Sequence, residues 1–282
     1  MKTLISLPFF CTVFFLTCSF APLSAQGDEE VIIYVDASKN RNGGNNVFTE
    51  VHTYGKSWDT AFRYLHDALR FGDPNATQIW IAKGNYYLDR GVGVEDQTTS
   101  SPGSSSYLNP FVVSNRNLKI YGGFAGTETS LDERDPENNP TYLDGNVYYK
   151  DIHTFPNAGN LYDNDNRFAR RIMIVYNSTL TLDGLNFQYV QAGNSAASSG
   201  SAQNTEPDSG LGAFIFTNQS AITIENCQFQ YGVDGFYGQV IYSTNSTTEL
   251  LHIKNSRFAN GGNATNHFLH RRTRSNYRTL CF

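Results

Sequence analysis

Three eight-residue segments of this chain superpose without gaps: LTLDGLNF (180–187), ITIENCQF (222–229) and LHIKNSRF (251–258). Each has an aliphatic residue at its first and third positions and Phe at its eighth, and successive copies begin 42 and 29 residues apart. A fourth, shorter copy reads LKIYGGF (118–124). A repeat of this length built from short strands predicts a solenoid, because each unit must bury its apolar face against its neighbours.

A two-residue step interrupts the alternation of apolar and polar residues in every full copy. The fifth position holds Gly184, Asn226 or Asn255, and Gly and Asn are the residues that best tolerate a positive φ at a sharp bend. We therefore predict that two strands of one coil meet at a corner there. The step lets the apolar positions of both strands face inward as ladders: Leu180, Leu182, Leu185, Phe187, Ile222, Ile224, Cys227, Phe229, Leu251, Ile253 and Phe258. A sandwich of β-hairpins is the alternative fold, and it favours tight Asn-Gly turns at shorter spacing.

The first 25 of the 282 residues are typical of a secretory signal. Lys2 provides the positive start, residues 4–20 are mostly apolar, and Leu23-Ser24-Ala25 is a suitable cleavage site. The alternatives are an uncleaved anchor helix and a lipoprotein signal at Cys18. No later segment is long and apolar enough to span a bilayer. We expect an exported protein that is secreted or associated with the outer membrane or cell surface.

Residues 26–76 are predicted to form an N-terminal cap. The run VIIYVD (31–36) is rich in β-branched residues and predicts a strand. Apolar residues recur at helical spacing from Trp58 to Leu69, which predicts an amphipathic helix over 58–70. Ser57 is a suitable N-cap for it and Gly72 a suitable end.

Coils of the solenoid are predicted over residues 77–262, interrupted by low-complexity loops at 91–108 and 191–210. Besides the repeats, strands are predicted at 111–114 and 171–176 and within 78–87, where the strand ends near Gly84, whereas 125–170 is polar and carries no strand pattern. The tail, residues 263–282, is basic and shows no repeat. Our hypothesis for this tail is a truncated or frame-shifted reading, and a natural basic tail is the alternative.

The charge of the chain narrows the classes of partner. Between residues 26 and 266 there are 26 acidic and 16 basic side chains. So acidic a surface argues against nucleic acid and against anionic membranes. Beyond the signal only Cys227 and Cys281 remain, which is too few for a disulfide framework. A bridge between these two stays open, but two separate thiols are favoured.

Several stretches resemble the right-handed parallel β-helix proteins that Bacteroidetes and related bacteria secrete or display. They are IIYVDAS, GKSWDTAFRYLHDAL, IWIAKGNYY and LKIYGGFAGTETSLDERDPENNPTYLDGN, within residues 31–146. The fragments GLGAF (210–214), GQVIY (238–242) and FANGG (258–262) resemble degenerate repeats of polymorphic outer-membrane proteins. The resemblance implies an all-β, pectate-lyase-like right-handed parallel β-helix whose N-terminal end is capped by a strand and an amphipathic helix. It also implies a surface or adhesion role, and it does not by itself imply lyase chemistry.

Candidate residues for catalysis are few. A β-helix lyase needs a Lys or Arg base beside carboxylates that bind Ca²⁺. The candidates for a metal site are Asp163 and Asp165 in LYDNDNR, with Arg170 or Arg171 nearby as the base. An ordinary Asn/Asp-rich loop is the favoured interpretation there, and likewise a solvated turn for the acidic cluster at 132–137. The six histidines have no ligand spacing, and Cys227 occupies an inward position typical of a structural thiol.

The tyrosines are the remaining candidates, because exposed tyrosines on a sheet can contact sugar rings. Tyr86, Tyr87, Tyr121 and Tyr189 have no predicted place in the core, whereas the Phe residues of the repeats are expected to stack inside it. We therefore expect a non-catalytic surface or secreted module that contacts a polysaccharide or a cell-surface glycan, without a cofactor. The alternative is a polysaccharide lyase or glycoside hydrolase of the same fold.

Overall fold

The computed structural model describes most of the region that the repeats cover. The residues described are 30–39, 54–91, 109–147, 168–191, 214–233, 240–244, 251–259, 267–273 and 276–281. The predicted signal, most of the two predicted loops, and the metal candidates Asp163 and Asp165 lie outside these ranges.

Seventeen strands and one α-helix are described, and the strands form three sheets. Sheet A contains, in spatial order, β1 (Ile32–Val35), β2 (Gln78–Ala82), β5 (Asn117–Phe124), β8 (Thr179–Asp183), β11 (Ala221–Glu225) and β14 (Leu251–Lys254). Sheet B contains β3 (Gly84–Tyr87), β6 (Thr141–Asp144), β9 (Leu185–Gln191), β12 (Gln228–Val233) and β15 (Arg257–Ala259). Sheet C contains β4 (Phe111–Ser114), β7 (Met173–Tyr176), β10 (Ile215–Asn218), β13 (Ile241–Thr244), β16 (His267–Thr273) and β17 (Asn276–Cys281).

The chain visits the sheets in the order A, B, C and then returns to A, so one strand from each sheet makes a coil. Coil 1 is β2–β3–β4, and coil 5 is β14–β15–β16. Strands of neighbouring coils pair in parallel throughout, and the exception is β17, which pairs antiparallel with β16. The architecture is a parallel β-helix, as the repeats predict.

The predicted ladders line the inside of the coils. Leu180 pairs with Ile222 and Ile222 with Leu251, so the first repeat position is continuous across three coils. Phe187, Phe229 and Phe258 stack with ring centroids 4.6 and 4.9 Å apart, close to the spacing of paired strands. The ladder residues of coils 3 and 4 are buried, whereas Leu251, Ile253 and Phe258 in coil 5 are only partly buried.

The corner between sheets A and B has the predicted backbone. Gly184, Asn226 and Asn255 have φ values of 72, 52 and 50°. A second series of left-handed residues lies between sheets C and A, where Asn115, Asn177 and Gln219 have φ values of 54, 45 and 52°. This second corner was not predicted. Its polar residues do not stand out from the loops around them.

The helix is shorter than predicted: α1 spans Leu65–Phe71 rather than 58–70. The backbone at Tyr64 is extended, so Ser57 is not the N-cap, although Gly72 does end the helix. Residues 54–62 instead run beside β1, where the Phe62 N–H donates to the Tyr34 carbonyl at 2.9 Å. Pairing with β1 therefore overrides the helical spacing of the apolar residues in this segment.

The strand predicted to end near Gly84 is β2, and the chain turns at Gly84 (φ 141°) into β3 of sheet B. Two further predictions are corrected. The polar stretch 125–170 contains β6, which needs only Leu143 at its centre to fill the core. The tail does not lack coil structure, because β16 pairs with β13 and continues sheet C.

A second apolar cluster lies outside sheet A, at its N-terminal end. Trp58, Trp80, Tyr121 and Phe124 are its largest buried members. The Trp58 indole N–H donates to the Glu128 carbonyl at 2.8 Å, and the Trp80 and Phe124 rings stack with centroids 4.8 Å apart. Two covering segments, around residues 54–61 and 125–134, therefore protect this part of the sheet from water.

Candidate functional site

Polar side chains line the outside of the corner between sheets A and B. The Asp183 carboxylate accepts hydrogen bonds from Asn226 Nδ2 at 2.7 Å and from Arg134 Nη2 at 2.5 Å. The Arg134 guanidinium also donates to the Gly122 carbonyl at 3.5 Å and lies over the Tyr121 ring, 5.1 Å from its centroid. Only 15% of the Arg134 side chain and 9% of that of Asp183 is exposed.

This corner is the place among the described residues that most nearly meets the requirements of a lyase. Glu225 is the register neighbour of Asp183, and Lys254 is the neighbour of Glu225. However, Arg134 is held by the Asp183 carboxylate, by carbonyls and by an aromatic ring. A guanidinium bound in this way braces the corner and is poorly suited to take a proton from a substrate.

The Cys227 thiol makes in coil 4 the hydrogen bond to a backbone carbonyl that the Ser256 hydroxyl makes in coil 5. In coil 5 the Ser256 hydroxyl donates to the Lys254 carbonyl at 3.0 Å and accepts from the Cys227 N–H at 3.2 Å. One coil earlier, the Cys227 thiol donates to the Glu225 carbonyl at 3.2 Å. Burial raises the pKa of Cys227 to about 12, so the thiol stays protonated at neutral pH and is a poor nucleophile.

The outer face of sheet B carries a continuous set of polar side chains. Asn186 is in register with Gln228, and Gln188 is in register with both Asp144 and Gln230. The polar strip, as we call it, consists of Asp144, Asn186, Gln188, Tyr189, Gln228, Gln230 and Tyr231. Because β6, β9 and β12 belong to successive coils, the strip runs along the axis of the solenoid.

Two tyrosines give the polar strip its unusual backbone. Tyr189 and Tyr231 both have a φ of 58°, which is rare for an aromatic residue. Their rings stack with centroids 4.8 Å apart and an interplanar angle of 13°, and Phe168 stacks on Tyr189 at 6.1 Å. The left-handed Tyr189 shifts the alternation of inward and outward side chains once more, so Val190, the next residue, is buried in the core.

Hydrogen bonds fix the inner part of the strip. Gln188 Nε2 donates to Asp144 Oδ2 at 2.9 Å, and the Asn146 N–H donates to Asp144 Oδ1 at 2.8 Å. Asn186 Nδ2 donates to the Thr141 carbonyl at 3.3 Å. In coil 4, by contrast, Gln228 is exposed and Gln230 and Tyr231 are half-buried.

The environment of Tyr189 keeps its phenol protonated. The pKa of Tyr189 is raised to about 12, first by burial and then by the neighbouring Tyr231, Asp144 and Tyr142. The Tyr189 hydroxyl is therefore a hydrogen-bond donor across the physiological pH range.

The four tyrosines left unplaced by the sequence prove to have different environments. Tyr86 lies in the core, where its hydroxyl donates to the Ala82 carbonyl at 2.9 Å. Tyr121 belongs to the cluster outside sheet A, under Arg134. Tyr87 is partly buried on β3, and Tyr189 alone of the four belongs to the polar strip.

Tyr231 and the glutamines of the strip were not predicted as site residues, although the sequence carries a signal for them. The tripeptide Phe-Gln-Tyr occurs at 187–189 and again at 229–231, and its Phe is the last residue of a repeat in both cases. The Phe belongs to the predicted core ladder, and the Gln-Tyr that follows it recurs on the next coil.

The acidic cluster at 132–137 is a hydrogen-bonded turn. Glu133 accepts from the Thr129 N–H at 2.8 Å, and Asp135 accepts from Asn138 Nδ2 at 2.6 Å. These bonds lower the pKa of both carboxyls. Within the ranges that the structure covers, no group of three His, Cys, Asp or Glu side chains is arranged to hold a metal ion.

Comparison with known proteins finds no matching family model, no matching curated protein and no matching solved structure. Among the helices that the structure describes, none has the length and apolar character needed to cross a membrane. The chemistry of the polar strip therefore rests on the residues themselves.

Proposed function

We propose that this protein is an exported bacterial β-helix protein, secreted or held at the cell surface, that contacts a glycan along the polar strip without turning it over. The observation that carries the proposal is the recurrence of Gln and a left-handed Tyr in register on coils 3 and 4. In coil 4, Gln228, Gln230 and Tyr231 present amides and a phenol on the outside of sheet B. In coil 3, Tyr189 is half-buried, whereas Asn186 and Gln188 are buried and hydrogen-bonded to Thr141 and Asp144.

Side-chain amides and phenols suit a glycan because each of them can donate and accept hydrogen bonds, as sugar hydroxyls do. The groups of the strip recur from one coil to the next, and a linear polysaccharide is itself a repeat. We infer that such a chain contacts Gln228, Gln230 and Tyr231 of coil 4 and extends across the strands to the half-buried Tyr189 of coil 3.

The tyrosines act through their hydroxyl edges in this proposal. Both faces of the Tyr189 ring are covered, one by Phe168 and the other by Tyr231. Stacking of a sugar on Tyr189, the contact expected from the sequence, is thereby blocked. A left-handed non-Gly residue costs about 1–3 kcal/mol, and the presence of two such tyrosines in register supports a role for the geometry that they impose.

The test is binding to an array of plant, microbial and host glycans, followed by titration with the best ligand. Gln230→Ala and Tyr231→Gly remove one amide and one phenol, and glycine accepts the positive φ at residue 231. Each loss of about 1 kcal/mol weakens binding about fivefold. Thr223→Ala, on the outer face of sheet A, is the matched control and should bind normally. Equal binding by all three variants would exclude the polar strip as the contact surface.

The competing proposal is a polysaccharide lyase or hydrolase of the same fold. The proximity of Arg134, Asp183 and Glu225 favours it, and the complete pairing of Arg134 and Asp183 speaks against it. Incubation with uronate polymers, with and without Ca²⁺, separates the two. Unsaturated products would establish lyase activity, and their loss in Arg134→Ala would assign that activity to the corner.

A further inference from the structure

A second column of polar side chains crosses the outer face of sheet B beside the tyrosines of the polar strip. Asn85 is in register with Tyr142, Tyr142 with Asn186, and Asn186 with Gln228. The outer column, as we call these four residues, therefore runs without a break from coil 1 to coil 4. Two of its members, Asn85 and Tyr142, do not belong to the polar strip, and both are half-buried.

Asn85 and Tyr142 face outward and have polar groups available for a ligand. The residues that follow them on their strands, Tyr86 and Leu143, are in the core, and side chains alternate between the two faces of a strand. Within the part of the chain that the structure describes, neither Asn85 nor Tyr142 forms a side-chain hydrogen bond, and no aromatic ring packs against Tyr142. The amide and the phenol can therefore both bond to a ligand.

Tyr142 differs from Tyr189 in the access that its ring offers. Both faces of the Tyr189 ring are covered by aromatic rings, whereas the register neighbours of Tyr142 are Asn85 and Asn186. Asparagine is a much shorter side chain, so neither neighbour can cover a whole face of the Tyr142 ring. The pKa of Tyr189 is raised first by burial and also by Tyr142, so the two phenols lie near each other and belong to one continuous surface.

We propose that Tyr142 stacks on a sugar ring and that the glycan contact therefore extends from coil 4 back to Asn85 in coil 1. This inference rests on the proposed glycan function and names the ligand class, a linear and uncharged chain of pyranoses. The C–H groups on the face of a pyranose suit the electron-rich face of a phenol, and its hydroxyls suit the amides of Asn85 and Gln228.

The charges of this surface favour an uncharged ligand. The outer column carries no charged side chain. In the neighbouring column the Asp144 carboxylate already accepts hydrogen bonds from Gln188 and from the Asn146 N–H. An uncharged chain therefore brings no charge that the surface would leave unpaired.

The length of the outer column sets the length of the ligand. Neighbouring coils are about 4.8 Å apart, so the three steps from Asn85 to Gln228 cover about 14 Å. One such step is close to the length of one pyranose in an extended chain, so about four sugars span the column. We expect the affinity to rise with chain length up to about four sugars and then to stay constant.

The experiment is isothermal titration of the full chain with cello-, xylo- and manno-oligosaccharides of two to six sugars, which are linear and uncharged. Tyr142→Val removes the ring but keeps a residue that favours strands, and it should weaken binding of the best four-sugar oligomer about tenfold. Tyr142→Phe keeps the ring and should bind normally. Asn85→Ala should weaken binding about fivefold.

Tyr54→Val is the matched control, because it removes a tyrosine that is 43% exposed and lies beside sheet A. It should bind normally. Urea unfolding followed by circular dichroism establishes that every variant is folded.

The outcomes separate this inference from the proposed function. Weaker binding in Gln230→Ala together with normal binding in Tyr142→Val would keep the glycan function and overturn the extension to coil 1. Equal losses in Tyr142→Phe and Tyr142→Val would overturn stacking, since the ring would then make no difference. No binding to any of the three uncharged series would overturn the inference, whatever the glycan array shows. Tighter binding of oligogalacturonates, lost in Arg257→Gln at the next position of the column, would overturn the uncharged ligand.

Discussion

Replacing Asn226 by valine tests the corner on which the β-helix depends. Asn226 has a φ of 52°, its Nδ2 donates to Asp183 Oδ1 at 2.7 Å, and its N–H donates to the Lys254 carbonyl at 3.1 Å. Valine keeps the backbone bond but has a branched Cβ, which resists a left-handed backbone more than asparagine does. It also removes the side-chain bond to Asp183.

The expected cost follows from these two losses. A left-handed β-branched residue costs about 1–3 kcal/mol. The lost hydrogen bond costs about 1 kcal/mol, because Asn226 is exposed and water can replace it as a donor to Asp183. Asn226→Val should therefore destabilise the protein by about 2–4 kcal/mol. Asn226→Gly also loses the hydrogen bond but tolerates the backbone, so it should cost only about 1–2 kcal/mol.

Urea unfolding followed by circular dichroism measures the difference. For an m-value of about 2 kcal/mol/M, the valine variant should unfold at a urea concentration lower by about 1–2 M. Thr223→Val, at a half-buried strand position on β11, is the control for valine itself and should change little. Equal midpoints for Asn226→Val and Asn226→Gly would refute the reasoning, because strain at residue 226 would then be absent. Glycan binding should be unaffected, since the corner is separate from the polar strip.

Three further predictions follow from buried groups. Burial lowers the pKa of His66 from 6.5 to about 4, so the folded state favours neutral His66. The free energy of unfolding should keep its full value above about pH 6.5 and fall by about 3 kcal/mol as the pH is lowered to 4. His66→Gln should reduce this pH dependence in unfolding curves measured at different pH values. The Cys227 thiol, 1% exposed, should resist alkylation in the native protein and react once urea unfolds it, as mass spectrometry of the peptide would show; rapid native labelling would contradict its burial. Gly145→Ala should destabilise by about 1–3 kcal/mol, because a Cβ there would lie 2.1 Å from the Tyr189 carbonyl; an unchanged thermal midpoint would refute it.

The solenoid could be predicted because its determinants are local and repeated. Each copy carries its own apolar pair, its own bend residue and its own Phe, so the register of one coil repeats in the next. Strand β6 escaped prediction because only Leu143 of its four residues belongs to the hydrophobic core. Strand β16 in the tail was not predicted, because an added strand needs only backbone pairing with β13, and such pairing imposes no fixed side-chain pattern.

The candidate site was less predictable than the fold. Tyr189 was named among four tyrosines, but its partner Tyr231 and the glutamines beside them were missed. The glycan contact proposed for them depends on register, and register between coils follows from the lengths of loops that show no pattern. The metal candidates Asp163 and Asp165 stay untested, since they lie outside the described residues.

The sequence alone determined the inward ladders and the left-handed corner at Gly184, Asn226 and Asn255, since burial and positive φ select residue types directly. Only the tertiary structure decided what lies outside the coils. In it, Trp58 lies outside the helix and covers sheet A, and Arg134 pairs with Asp183. It also brought the basic tail into one coil with Lys254 and Arg257. These outcomes depend on pairing between distant segments, and the same side chains would suit several other partners until the coils bring them together.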